Sequence, residues 1–168
     1  MIRFAGAVLL MAGCSGFGFS MAAAHRREVS LLRRLIHGLQ EMEWELKFRM
    51  TELPELCRIA ADASGGDLKP VFRQLAGKLE RREVEEISGC LNGLLQHYDL
   101  PRRVKKNLRQ LGASLGRFDL EGQLQGLQAV RQQCREDVKA LEENSALRLR
   151  NYQTLALCGG AALAILFL

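Results

Sequence analysis

The sequence predicts an all-α, membrane-anchored bundle of five or six helices with a transmembrane segment at each end, and three observations carry that prediction. Charge is segregated: of the 24 Lys and Arg and 19 Asp and Glu, all but Arg3 lie between Arg26 and Arg150. Within that stretch apolar residues recur at three- and four-residue steps, the period of an amphipathic helix. No Asn-Gly or Asp-Gly stands between alternating runs, so no β-hairpin is signalled. The averages hide this: 48% hydrophobic residues, 26% charged and a mean hydropathy of −0.07 would suit any soluble domain. With 16 Gly, 3 Pro and 5 Cys, collagen-like, disordered and disulfide-stapled chains are excluded.

The elements follow in order. Residues 4–24 are uncharged, and a helix of that length rises about 30 Å, the thickness of a bilayer core. Three readings of this segment stand: an uncleaved anchor, a lipobox at Met11-Ala12-Gly13-Cys14 with lipidation of Cys14, or a signal cleaved at Ala22-Ala23-Ala24. Only Arg3 precedes it, whereas Arg26, Arg27, Arg33 and Arg34 follow, and Arg148 and Arg150 precede the uncharged C-terminal stretch. The positive-inside rule therefore favours an anchor and keeps the middle in the cytoplasm. The first helix continues through Val29, Leu32, Ile36, Leu39, Leu46 and Met50 to about Leu53, with Glu43 interrupting one face. Pro54 suits the first turn of a second helix, which stops at Ser64-Gly65-Gly66. Asp67 is the expected N-cap of a third, carrying Val71, Leu75 and Leu79. A fourth carries Val84, Ile87, Leu91 and Leu94, and a fifth, opened by Leu100-Pro101, carries Val104, Leu108, Leu111 and Leu115. The last and longest carries Leu120, Leu124, Leu127, Cys134, Val138, Leu141 and Leu147 before the apolar stretch ending at Leu168. The organisation is then a transmembrane segment at 4–24, a cytoplasmic bundle at 25–150 and a second transmembrane segment at 151–168.

Chemistry-bearing patterns are sparse. His25, His37 and His97 have no i, i+4 partner, and the cysteines form no C-x-x-C, so no metal and no cofactor are expected. Gly65-Gly66-Asp67-Leu68-Lys69 is a turn and not a phosphate-binding loop, and no G-x-S-x-G is present; the chain is expected not to be an enzyme. Arg102, Arg103, Lys105, Lys106 and Arg109 form the densest basic run. Without interleaved aromatic residues it is not a nucleic-acid site; it is either a solvated helix face or a dock for an acidic partner or anionic lipid. Ala12 with Gly16 and Gly160 with Ala164 are small-xxx-small pairs, candidates for membrane helix packing within the chain or in a homo-oligomer.

The order of features resembles one family throughout the chain. A short small-residue anchor is followed by Leu31-Leu32-Arg33-Arg34-Leu35, Leu39-Gln40-Glu41-Met42-Glu43-Trp44-Glu45-Leu46 and Thr51-Glu52-Leu53-Pro54-Glu55-Leu56. Later come Leu111-Gly112-Ala113-Ser114-Leu115-Gly116-Arg117-Phe118-Asp119, then Glu121 and Gln123, a long helix and a Gly-rich apolar tail. This resembles the stage III sporulation protein AB family, itself similar to inner-membrane platform proteins of type II secretion and type IV pilus systems. The resemblance implies a non-catalytic assembly component of the mother cell-to-forespore channel, in the mother-cell membrane facing the forespore. Its implied partners are other channel membrane proteins and a secretion-type ATPase. The family pattern carries Glu45, Leu53, Gly112, Gly116, Asp119 and Gln123 onto this chain in structural roles, with Gly112 and Gly116 at close helix approaches and Asp119 as a helix cap. A tethered adaptor or sensor binding a soluble regulator is the alternative from another class, beside the lipoprotein.

Overall fold

Leu32, Leu35, Leu39 and Met42 fall on one side of a helix, and all four are fully buried. They belong to α1 (Ile2–Arg49), the first of six helices among the described residues of a computed structural model. It describes the backbone of residues 2–84, 86–116 and 119–167 and the side chains of 23–84, 86–116 and 119–143. The remaining helices are α2 (Leu53–Ser64), α3 (Lys69–Glu80), α4 (Ile87–Gln96), α5 (Arg102–Ser114) and α6 (Leu120–Phe167), with one 3-10 turn at Gly66–Leu68. Among the described residues there is no strand.

α1 is the organising element. It packs against α2 and α6 and touches α5, while α2 packs on α3 and α4 on α5. One apolar core runs through all six, from Leu56 of α2 and Phe72 of α3 to Leu91 of α4, Leu108 of α5 and Leu127 and Val130 of α6. α1 and α6, 48 residues each, are antiparallel. Their register is fixed by Arg33 with Glu142 near one end and by Glu43 with Arg131 (3.0 Å) and Gln128 (2.8 Å) near the other.

Three sequence expectations need correction. α1 does not reach Leu53: it ends at Arg49, because Met50 turns into the left-handed region (φ 51°) and Glu52 is extended before Pro54 starts α2. Asp67 does not cap α3, whose N-cap is Leu68. It lies inside the 3-10 turn, and its carboxylate accepts from Arg27 Nη2 at 2.9 Å. Val84 precedes α4, which begins only at Ile87 after a turn at Arg82 (φ 55°).

Among the described residues no helix is long and apolar enough to cross a membrane. Apart from Ala23 and Ala24, the segments 4–24 and 151–168 lie outside the residues whose side chains are described.

Gly116 ends the α5 region with φ +77°, and a Cβ there would come within 2.5 Å of Ile87 Cδ1. Gly116→Ala is therefore expected to cost about 2 kcal/mol, combining left-handed backbone strain with displacement of Ile87. Denaturant unfolding followed by far-ultraviolet circular dichroism measures it, and an unchanged midpoint would remove the argument.

Candidate partner-binding surface

The basic run divides once its surroundings are known. α5 starts three residues after Asp99, and Arg27, midway along α1, donates to both the Asp99 carboxylate (3.1 Å) and its carbonyl oxygen (3.0 Å). The run thus begins at the end of the bundle from which α1 leads back to its uncharged segment. Arg103 turns inward, donating to Asp137 Oδ1 of α6 at 3.0 Å, and Arg109 Nε donates to Asn92 Oδ1 of α4 at 3.0 Å. Arg102 and Lys106 are exposed and Lys105 is half-buried. Arg103 is thus tied to α6 and Arg109 to α4, while Arg102 and Lys106 point to solvent.

Asp137 is the most deeply buried carboxylate described, 7% exposed, and it also accepts from Asn107 Nδ2 at 2.9 Å. Asn107 is fully buried, and among the described residues its Oδ1 has no partner. Beside them, burial and then the Asp137 charge push the Cys134 thiol up to about 12, and burial alone does the same for Cys57. Both thiols are held neutral near pH 7, which makes them poor nucleophiles. Among the described residues no group of three or more His, Cys, Asp or Glu is arranged to hold a metal ion.

The family-pattern positions have local structural roles. Glu45 accepts from Thr51 Oγ1 at 3.1 Å and pairs with Arg49 at 3.4 Å, tying down the chain where α1 stops. Leu53 packs against the core and lies 3.9 Å from where a Gly116 Cβ would stand. A Cβ on Gly112 would meet Leu91 Cδ2 at 3.1 Å and Ser88 Cα at 3.3 Å, so α4 and α5 pass closely there. Asp119 Oδ1 accepts from the Gly122 amide at 3.0 Å, an N-cap bond at the start of α6, while its carbonyl accepts from the Gln123 amide. Ala12, Cys14, Gly16, Gly160 and Ala164 lie outside the residues whose side chains are described.

The distal end of α1 carries a surface that the sequence reading did not single out. Trp44, Phe48 and Met50 are 51%, 63% and 73% exposed. The two rings stand 5.2 Å apart at 46°, with Lys47 Nζ 5.4 Å from the Phe48 centroid and Arg49 5.7 Å from that of Trp44. Glu43 and Glu45, the neighbours of Trp44, are engaged with α6 and with the end of α1, which leaves the rings outermost. Large exposed aromatic residues fringed by cations are typical of protein contact sites. A sequence signal existed: the single Trp and a Phe stand at i, i+4, off the stripe formed by Leu35, Leu39, Met42 and Leu46.

Residues 3–168 match the family described as stage III sporulation protein AB. Neither the curated proteins nor the solved structures return a match. With the match spanning nearly every residue, the chain belongs to the stage III sporulation protein AB family.

Proposed function

We propose that this sporulation protein is a membrane-anchored, non-catalytic assembly component. In this reading residues 4–24 and 151–168 insert in the mother-cell membrane facing the forespore, and residues 25–150 form a cytoplasmic bundle. The bundle helps assemble the channel between the two cells beside a secretion-type ATPase. The observation that carries the reading is the antiparallel register of α1 and α6. Arg33 opposite Glu142 and Glu43 opposite Arg131, extended along both helices, bring residue 25 level with residue 150. Both uncharged segments then begin at the same level, as two anchors in one bilayer require.

The same register separates two surfaces. The aromatic patch lies about 35 Å along α1 from His25, beyond reach of lipid, and serves as the partner dock. The rings offer buried area, and Lys47 and Arg49 favour a partner segment that carries carboxylates beside its apolar residues. The basic run starts at the opposite end, where Arg102 and Lys106 add to the attraction for an anionic membrane surface.

Trp44→Ala with Phe48→Ala tests the dock. Both side chains are exposed, so stability should move by no more than about 0.5 kcal/mol. Recovery of channel components with the full chain from sporulating membranes should fall with a loss of affinity of at least about 30-fold, as for truncation of an interface anchor. Full recovery would remove the patch from the interface. Anchoring is tested by alkaline carbonate extraction of native membranes: a chain released into the supernatant would overturn it.

A further inference from the structure

Trp44 and Phe48 do not stand alone at the distal end. The large apolar side chains exposed among the described residues are Trp44, Phe48 and Met50, at the end of α1, and Leu120 of α6, the last 38% exposed. Counted outward from the contacts of Glu43 with Arg131 and Gln128, α1 runs on for six residues to Arg49 and α6 runs back eight or eleven to Leu120. At 1.5 Å per residue the two helices stop within about one turn of the same level.

The α6 side of this seam is depleted of charge. From Gly122 to Cys134 the one charged residue is Arg131, and Glu43 already holds it. Gln125, Gln128 and Gln132 are exposed at the spacing of a single helix face, and exposed Glu121 continues that face four residues earlier. Gln128 donates to Glu43, so the glutamine stripe borders α1. Trp44, one residue on from Glu43, is turned about 100° further round α1, away from buried Met42. Rings and stripe are therefore neighbouring strips of one outer surface made by α1 and α6. Exposed aromatic residues beside a charge-poor face have the composition of an interface core and not of a solvated helix.

We propose that this surface binds a second copy of the chain about a two-fold axis parallel to α1 and α6. That occupant presupposes the aromatic patch as a dock and the anchoring of both copies in one bilayer. Two copies standing in one bilayer are related by an axis along the helices, which keeps every residue at its own level and sets α1 of each copy opposite α6 of the other. Trp44 and Phe48 then cover the glutamine stripe of the other copy. A segment with carboxylates beside an apolar residue, the chemistry that Lys47 and Arg49 favour, is present on the chain itself as Asp119-Leu120-Glu121. Lys47 and Glu121 are both exposed, and neither has an ion pair among the described residues. The two-fold brings each within side-chain reach of the other across the interface, and every such contact is made twice.

The test is sedimentation equilibrium of the full chain in density-matched neutral detergent over a concentration series. A reversible monomer–dimer equilibrium is expected. Lys47→Glu and Glu121→Lys should each weaken it at least about tenfold, since each sets like charges face to face twice. Both side chains are exposed, so neither reversal should alter the unfolding midpoint. An equimolar mixture of the two variants should regain the parent affinity, because the mixed dimer contains one native and one inverted pair. A monomer throughout the series, a dimer indifferent to both reversals, or a mixture no tighter than its components would overturn the two-fold site. Should recovery of channel components nevertheless fall with Trp44→Ala and Phe48→Ala, the dock stands and only this occupant fails; full recovery there removes the dock as well.

Discussion

Asp137→Leu is expected to destabilise the bundle by about 3 kcal/mol, because it strands a buried amide. Asn107 is fully buried with its Oδ1 unpartnered among the described residues, and its Nδ2 donates to Asp137 at 2.9 Å, the Cys134 thiol beside it being a second, weaker hydrogen-bond partner of the side chain. Arg103, the other donor, has a side chain 39% exposed, so on losing Asp137 it turns to water at little cost. The amide therefore accounts for most of the loss, and Arg103→Gln alone should cost no more than about 1 kcal/mol. Replacing both inward groups, Asn107→Leu with Asp137→Leu, should return stability to within about 1 kcal/mol of the parent, since neither helix then buries an unpaired polar atom. Urea unfolding of the full chain in detergent measures all three. A double variant as weak as the sum of its parts would show that the polar pair itself holds α5 to α6.

The second large effect lies at the crossing of α1 and α2. A Cβ on Gly38 would stand 2.0 Å from Ser64 Oγ and 3.2 Å from the Ala60 carbonyl oxygen, so Gly38→Ala forces the Ser64 hydroxyl aside and presses on the α2 backbone. Alanine gains about 1 kcal/mol over glycine in helix propensity, yet overpacking a tight crossing costs more; the net expectation is a loss of about 2 kcal/mol. The obstruction is largely one hydroxyl. Adding Ser64→Ala to Gly38→Ala should restore the parent stability to within about 1 kcal/mol, and the coupling energy from the double-mutant cycle measures the contact directly. Additive effects would place the strain at the Ala60 carbonyl instead.

The helices were legible because their apolar spacing is strong. Leu32, Leu39, Leu46, Leu91, Leu108 and Leu127, all named from periodicity, are buried. The buried face of α1 is wider than a three- and four-residue stripe: Leu35 and Met42 are also fully buried, because the helix is covered by α2 on one side and by α6 on another. Met50 continued the period and is nevertheless 73% exposed, since its left-handed backbone takes it out of the helix. Asp67 had the residue type of a cap, but a tertiary partner, Arg27, claimed its carboxylate. The surfaces were harder to read. Arg103 looked like one more cation in a basic run, and only the fold reveals that Asp137, sitting after Arg135 and Glu136 in a highly charged stretch, reaches back to it. Trp44 lay among acidic neighbours whose engagement elsewhere, invisible in the sequence, leaves its ring outward.

The pairing of the first helix with the last also sets an order of assembly. α2 and α3 can cover one flank of α1 soon after they leave the ribosome, being joined to it by short links. The flank that receives α6 must wait until Arg131 and Glu142 have been made, some hundred residues after their α1 partners. During that interval the apolar stripe of α1 stands open on the flank that α6 will cover. Truncation before α6 should thus produce a chain prone to aggregation and degradation, because the core of the bundle closes only once α6 is in place.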